Sequence, residues 1–110
     1  MVKSKNYLSF GRYLKNIRLE KGIHLDTVSK ETRIGLDNLA LIENEDHEHL
    51  PAEVFVKGFL RAYAKAIGAD RDRTLELYLS SLHSYKDSVR IEAELIRSGT
   101  KFWHKRAKNL

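Results

Sequence analysis

The sequence predicts an all-α fold, a bundle of five or six helices, and three observations favour it. The 110-residue chain contains one proline and six glycines, too few turn-forming residues for a many-stranded sheet. Its apolar residues, 42% of the total, recur at intervals of three or four positions, the spacing of one helix face. That apolar content beside 32% charged residues is typical of one compact domain with a modest core.

The residue inventory also excludes several classes of function. Without cysteine there is no disulfide framework, no thiolate zinc site and no cysteine nucleophile. No glycine-rich phosphate loop, paired carboxylates or Ser-His-Asp arrangement stands out, and a domain of this size leaves little room for a substrate pocket. We therefore expect a protein without enzymatic activity or cofactor, whose function is binding.

A polar N-terminal arm, residues 1–7, precedes the first helix. No apolar stretch follows its lysines, so the arm is not a signal peptide. Apolar residues at helical spacing then predict a helix over Phe10–Lys21. Ser9 is placed to cap its beginning, and Gly22 is placed to end it in the left-handed conformation.

Two short helices follow, over Leu25–Thr32 and Leu36–Glu43. They are joined at residues 33–35, a tight connection that contains a glycine. In the later helix Leu39 and Ile42 share one face, which we expect to be buried. Two short helices with so short a connection are typical of a helix-turn-helix.

Three further segments complete the bundle. Pro51 is tolerated in the first turn of a fourth helix over Ala52–Ile67. A fifth helix is predicted over Arg71–His83. Residues 85–97 then form an acidic and basic segment with an apolar ridge, an additional helix or a linker. This segment extends the fifth helix, folds back on the body or serves as a linker, and the pattern leaves these alternatives open.

The loop at residues 44–50 holds His47 and His49 among acidic side chains, which raises the question of a metal site. Two histidines two positions apart in a flexible loop do not fix a tetrahedral arrangement, and no cysteine assists them. We therefore expect a solvated acidic loop and no bound metal.

The formal net charge of +5 lies entirely at the C-terminal end of the chain. Residues 1–96 carry 15 basic and 15 acidic side chains, whereas residues 97–110 carry five basic and none acidic. The tail, residues 98–110, combines two aromatic with four cationic side chains: Phe102, Trp103, Lys101, Lys105, Arg106 and Lys108. Such interleaving suits the surface of an anionic membrane, and the alternative is a disordered soluble terminus.

The third helix would be the recognition helix of the helix-turn-helix, so its outward face bears on DNA binding. Only Asn38 there suits base recognition, and it lies beside the apolar Leu36. Residues 37–56 carry six acidic and no basic side chains, which opposes contact with phosphates. We interpret the motif as a scaffold. The alternative is DNA binding through Leu36 and Asn38 with Lys21 and Arg33 at the flanks.

On the fourth helix, apolar side chains cover more than the single stripe a surface helix needs to pack on a core. A helical wheel gives three stripes, namely a core face of Val56, Leu60, Tyr63 and Ile67, an aromatic stripe of Phe55 and Phe59 with Ala62 and Ala66, and a basic row of Lys57, Arg61 and Lys65. Aromatic residues beside cations are typical of an interface with an acidic partner. The alternative is that the fifth helix covers the aromatic pair.

Gly58 lies between the basic row and Phe55 on this wheel. Glycine inside a helix costs about 1 kcal/mol relative to alanine, and one reason to keep it is the close approach of another backbone. The position of Gly58 therefore modestly favours an interface on this side of the helix.

Two stretches carry a family resemblance. Gly22–Glu43 looks like the helix-turn-helix of phage repressors. Continued by Leu50-Pro-Ala-Glu-Val-Phe-Val-Lys-Gly-Phe-Leu-Arg-Ala-Tyr-Ala64, it closely resembles the cytoplasmic domain of the RodZ family of bacterial cell-shape proteins, over about residues 8–82. The resemblance implies a repressor-like domain at residues 8–84. It also implies a cytoplasmic position at the inner face of the membrane, with a basic segment and a membrane span following.

The resemblance further implies a partner, the bacterial actin homologue MreB. In RodZ-like proteins, aromatic residues that match Phe55 and Phe59 contact MreB, so we take Phe55, Lys57, Gly58, Phe59 and Arg61 as the predicted partner-binding residues. Two other interpretations stay open. One is a repressor-like transcription regulator, and the other is a relative without a membrane anchor and with another partner.

Overall fold

A computed structural model describes residues 8–98 of the chain, which form five α-helices: α1 (Phe10–Glu20), α2 (Leu25–Thr32), α3 (Leu36–Glu43), α4 (Glu53–Ile67) and α5 (Arg71–Arg97). This confirms the prediction of an all-α fold. The predicted N-terminal arm and the cationic and aromatic residues of the tail, Lys101, Phe102, Trp103, Lys105, Arg106 and Lys108, lie outside the described residues. Between residues 8 and 98, no helix is both long enough and apolar enough to cross a bilayer.

The core is built around α4, which packs against α1, α2 and α5. Its predicted core face is confirmed, since Val56, Leu60, Tyr63 and Ile67 are all buried. The short helices contribute the predicted Leu39 and Ile42 together with Val28, and α1 contributes Phe10 and Leu14. The helix-turn-helix is therefore held by its inner face against a long central helix.

Left-handed residues follow α1, α2 and α4. Gly22 has a φ angle of +66°, as predicted for the end of α1, and Gly68 has a φ angle of +72° after α4. At the joint between α2 and α3, however, Arg33 takes the left-handed conformation with φ of +63°, while Gly35 has φ of −60°. The Ser29 hydroxyl stabilises this joint by donating a 2.6 Å hydrogen bond to the carbonyl of Ile34.

The beginning of α1 is capped by a side chain distant in sequence. Ser9 occupies the N-cap position, but its side chain makes no capping hydrogen bond. Instead the Glu45 carboxylate accepts from the backbone N–H of Gly11 at 2.9 Å and of Arg12 at 3.2 Å. A negative charge at a helix N-terminus also interacts favourably with the helix dipole.

Gly11 is required for this contact. A β-carbon at this position would lie 2.5 Å from the carbonyl oxygen of Ile42 and 2.7 Å from that of Glu43, distances that real atoms do not adopt. Only glycine therefore allows α1 to approach the end of α3 so closely.

A buried ion pair joins α1 to α3. The side chains of Arg18 and Glu43 are 9% and 7% exposed. The Arg18 guanidinium donates two hydrogen bonds to the Glu43 carboxylate, from Nε at 2.8 Å and from Nη2 at 3.2 Å. Arg18 also donates to the carbonyl of Ile23 at 2.9 Å, and the Tyr63 hydroxyl on α4 donates to Glu43. Burial and the hydrogen bond to Glu43 raise the pKa of Tyr63, so its hydroxyl stays a donor.

The loop between α3 and α4 differs from the solvated loop that we expected. His47 is half-buried, its ring stacked on Tyr85 at 5.1 Å and lying 5.6 Å from Phe10. Its Nε2 is 2.7 Å from the hydroxyl oxygen of Ser81. Burial lowers the pKa of His47, whereas the exposed His49 has its pKa raised by a hydrogen bond to Asp46. Within residues 8–98 no group of three metal-ligating side chains forms.

The fifth helix is longer than predicted, with 27 residues that run without interruption from Arg71 to Arg97. Of the alternatives for residues 85–97, the structure therefore shows an extension of this helix. Asp70 caps its beginning, with its carboxylate accepting a hydrogen bond from the N–H of Arg73 at 3.1 Å. No proline or glycine interrupts residues 71–97, so nothing in the backbone ends the helix where the core ends.

We predict that Glu43→Ala lowers the free energy of unfolding by about 3–5 kcal/mol, because it leaves the buried Arg18 guanidinium without its carboxylate. Glu43→Gln keeps one acceptor for Arg18 and should fall between this variant and the wild type. Urea unfolding followed by circular dichroism measures both. The control is Glu76→Ala, which breaks the exposed 3.5 Å pair with Arg73 and should change stability by less than about 0.5 kcal/mol. Equal effects of Glu43→Ala and Glu76→Ala would contradict the prediction.

We also predict that His47 makes the fold less stable in mild acid. Because burial lowers its pKa in the folded state, the unfolded chain binds a proton more readily below about pH 6.5. The free energy of unfolding should therefore be constant above that pH and fall as the pH falls below it. His49 acts in the opposite direction, so both chains compared carry His49→Gln, and one also carries His47→Gln. Urea unfolding between about pH 5 and 8 should show a steeper decline in the chain that keeps His47. Parallel curves would contradict the prediction.

Candidate partner-binding face

The predicted partner-binding residues lie on α4, and we call Phe55, Lys57, Gly58, Phe59 and Arg61 the α4 face. Phe55 is 59% exposed, a large fraction for an aromatic side chain in a folded domain. The neighbouring Val54 is 71% exposed. The beginning of α4 therefore presents apolar surface to solvent, and the fifth helix does not cover it.

The structure separates the two phenylalanines that the sequence placed in one stripe. Phe59 is partly buried and packs against the hydrophobic core, as do Ala62 and Ala66. Phe55, one turn earlier, is outside that cluster and points towards solvent. Of the two interpretations of this pair, core contact applies mainly to Phe59 and an exposed contact surface mainly to Phe55.

Gly58 is exposed in the middle of α4, where the fold does not require glycine. A β-carbon built at this position meets no atom within 4 Å, in contrast to Gly11. Alanine at this position would favour the helix by about 1 kcal/mol relative to glycine. No contact within residues 8–98 explains why the chain has glycine there. The position leaves space for another backbone to approach α4.

The cations of this region differ in how strongly they are held. Lys57 forms a 3.1 Å ion pair with Glu53, and Glu53 also lies 3.6 Å from Lys86 of α5. The hydrogen bond from Lys57, with the charge of Lys86, lowers the pKa of Glu53. Arg61 and Lys65 are exposed and form no ion pair within residues 8–98. These last two provide free positive charge on α4, further along the helix than Phe55.

The residues of the DNA-binding alternative lie in different surroundings. Leu36 is 46% exposed at the start of α3, and Asn38 is half-buried with its N–H donating to the Asp37 carboxylate at 3.0 Å. Lys21 donates a 2.6 Å hydrogen bond to the carbonyl of Ile67, so its ammonium group caps the end of α4. Arg33 is exposed at the joint. Among these residues, only Arg33 offers a cation that the fold does not already use.

A polar cleft of about 410 Å³ lies between α1 and the end of α3. Its lining includes Arg12 and Lys15 together with Glu43 and Glu45. Both carboxylates are already engaged, one with Arg18 and the other with the N-terminus of α1. Both carboxylates of the cleft therefore serve contacts within the fold.

Comparison with known proteins identifies the family of the chain. A family model described as a helix-turn-helix domain matches residues 13–74. The cytoskeleton protein RodZ of Streptococcus pneumoniae is 34% identical over 88 residues, which are 79% of this chain and 32% of that protein. The membrane protein YmfM of Bacillus subtilis, uncharacterized by description, is 29% identical over 66 residues, 59% of this chain and 23% of that protein. The chain thus spans about a third or less of the length of these relatives.

A solved structure supports the same grouping. YmfM from Staphylococcus aureus, described as a candidate DNA-binding membrane protein, superimposes with a TM-score of 0.62 at 26% sequence identity, over 67% of this chain and 90% of that one. The family model covers more than half of the chain, from within α1 to the start of α5. The chain therefore belongs to the helix-turn-helix domain family, and its domain is of the RodZ-like kind.

Proposed function

We propose that this domain is a non-enzymatic adaptor of a RodZ-like cell-shape protein and binds the bacterial actin homologue MreB through the α4 face. The observation that carries the proposal is the exposed Phe55 beside the open position of Gly58. Support for the class of partner comes from the relative in Streptococcus pneumoniae, which is named a cytoskeleton protein.

The α4 face has the composition of a small, well-anchored interface. Burial of an exposed phenylalanine contributes about 1.5–3 kcal/mol, so Phe55 is the residue best suited to anchor a partner. Phe59, one turn later on α4, packs against the core and is partly exposed beside this anchor. Arg61 and Lys65 lie at the rim, where cations favour association with an acidic partner surface.

The proposed position of the domain is at the inner face of the cell membrane. Both YmfM relatives are described as membrane proteins. In this proposal the basic and aromatic tail, with Lys101, Trp103, Lys105, Arg106 and Lys108, lies next to the anionic lipid surface. The long α5 then separates the MreB-binding face from the membrane.

We predict that Phe55→Ala weakens binding to MreB from the same organism about 30-fold, the effect expected for removing a central aromatic anchor. Because Phe55 is exposed, its loss should change the free energy of unfolding by less than about 0.5 kcal/mol. Co-sedimentation with polymerised MreB measures the affinity. The double variant Phe55→Ala with Phe59→Ala should abolish binding, and its stability is measured alongside because Phe59 packs on the core.

Two variants serve as controls for this experiment. Leu19→Ala removes an apolar side chain that is 56% exposed on α1, and MreB binding should not change. Gly58→Ala should stabilise the helix by about 1 kcal/mol and still weaken MreB binding, because the methyl group occupies the space left for the partner. Unchanged binding by Phe55→Ala, or an equal loss with Leu19→Ala, would contradict the proposed face.

The second candidate function is DNA binding of the repressor type, which the description of the Staphylococcus aureus YmfM structure favours. It would use Arg33, Leu36, Asn38 and Lys21. We predict only weak binding to random duplex DNA, falling steeply between about 50 and 200 mM salt. Fluorescence anisotropy of a labelled duplex measures it. Nanomolar, sequence-dependent affinity at physiological salt, lost in Arg33→Ala, would favour DNA binding over the adaptor function.

A further inference from the structure

The last three turns of α5 carry apolar side chains on the face that packs on the body earlier in the helix. Tyr78 and Leu82 turn this face towards the core. Val89 and Ile96, which are 46% and 59% exposed, continue it past the body. Exposure alone does not distinguish this face, because Ile91 on the opposite side of the helix is 49% exposed. The elements beside α5 decide which of its faces another segment can cover.

The chain enters α1 beside the uncovered part of this face, because α1 packs on α5 in the antiparallel direction. At the end of α1, the ammonium group of Lys21 contacts the carbonyl of Ile67 at 2.6 Å, just before α5 begins. At the beginning of α1, the ring of Phe10 meets that of Tyr78 at 5.2 Å, well inside α5. Continued backwards from Phe10, the direction of α1 therefore leads along the second half of α5, and the N-terminal arm, residues 1–7, joins the helix at this point.

One flank of the face is turned towards α1 and the other towards α4. On the first flank, His47 stacks on Tyr85 and its Nε2 lies 2.7 Å from the hydroxyl oxygen of Ser81. Glu92 follows Tyr85 by seven residues and Ser81 by eleven, so it lies on this same flank. Glu92 is exposed and forms no ion pair within residues 8–98. On the other flank the ammonium group of Lys86 pairs with a carboxylate of α4 at 3.6 Å. The free carboxylate beside the uncovered face is therefore on the side of α1.

The N-terminal arm has the charge and the length to cover this face. It carries Lys3 and Lys5 and no acidic side chain, which complements Glu92. Seven residues reach about 23–25 Å when extended, and residues 86–97 of α5 span about 18 Å. The arm ends in Tyr7, a large aromatic side chain close to the point where α1 begins.

Other occupants fit this face less well. A partner helix laid along it would run into the body, which occupies the same side of α5 from Leu82 backwards. Residues 86–97 carry three basic and three acidic side chains, so the segment has no net charge to attract an anionic membrane. The basic tail begins at the far end of α5 and has to reverse its direction to reach Val89.

We propose that the N-terminal arm docks on the second half of α5, with Tyr7 covering Val89 and Lys5 paired with Glu92. Tyr7 supplies most of the contact, because burial of apolar surface contributes more than an exposed ion pair, and the pair fixes the register. In an extended segment Lys3, Lys5 and Tyr7 lie on one side, so Lys3 comes next to Ile96. This inference is independent of the proposed binding to MreB.

Disulfide formation within the untagged 110-residue chain tests the contact, since the chain has no native cysteine. Under mild oxidation, Lys3→Cys with Ile96→Cys should form an intrachain disulfide at least about tenfold faster than Lys3→Cys with Glu94→Cys. Position 94 is at nearly the same height on α5 but lies away from the face. Equal rates for the two pairs, or disulfide-linked dimers in place of the intrachain product, would overturn the proposal.

A charge exchange in the chain with cysteines at positions 3 and 96 tests the register, with the rate measured at low salt. Lys5→Glu should lower the rate about threefold, because an attractive pair becomes repulsive, and Glu92→Lys should do the same. Lys5→Glu with Glu92→Lys should restore the rate. A double variant as slow as the single variants would contradict the proposed pairing.

Two aromatic substitutions in the same cysteine chain distinguish the arm from the tail. Tyr7→Ala should lower the rate of disulfide formation about tenfold, because it removes the main apolar contact. Trp103→Ala, the matched change in the tail, should leave the rate unchanged. The opposite result, a loss with Trp103→Ala and none with Tyr7→Ala, would show that the tail occupies the face and that the proposal is wrong.

Discussion

The fold depends on the carboxylate of Glu43, at the last turn of α3. Through it the recognition helix of the motif is bound to Arg18 of α1 and Tyr63 of α4. Two residues later Glu45 caps the beginning of α1, so the end of α3 holds α1 at two points along its length. Since both contacts are charge-assisted and Arg18 is nearly buried, the three helices have little freedom to shift relative to one another.

This arrangement changes the electrostatic argument about DNA. The six acidic residues between 37 and 56 suggest strong repulsion of phosphate, but Glu43 and Glu45 are engaged internally and Glu53 is paired with Lys57 and Lys86. The repulsion is therefore weaker than the count of charges implies. The attraction is weaker too, because Lys21 is bonded to the end of α4. The recognition helix therefore exposes the apolar Leu36 and has few free cations nearby, which suits a scaffold better than a DNA-binding element.

Whether a feature could be predicted from the sequence depended on how far apart along the chain its interacting residues lie. The bounds of α1 to α4, to within one residue, and the core face of α4 were predictable, because periodicity and glycine positions are local. The end of α5 was not, because no glycine or proline marks the place where the core ends. The cap of α1 by Glu45 was not, because residues 34 positions apart must meet, and only Gly11 hints at the close approach. The burial of His47 has the same origin, since Tyr85 reaches it only because α5 is long. The helical pattern could not distinguish Phe55 from Phe59 either, because the burial of Phe59 depends on its packing against the core in the folded chain.

Glu53 links the α4 face to α5, because it pairs both with Lys57 on α4 and with Lys86 on α5. The side chains of all three residues are about a third exposed or more, so each pair contributes less than about 1 kcal/mol. Occupation of the α4 face, which would draw Lys57 away from Glu53, should therefore alter the position of α5 only slightly.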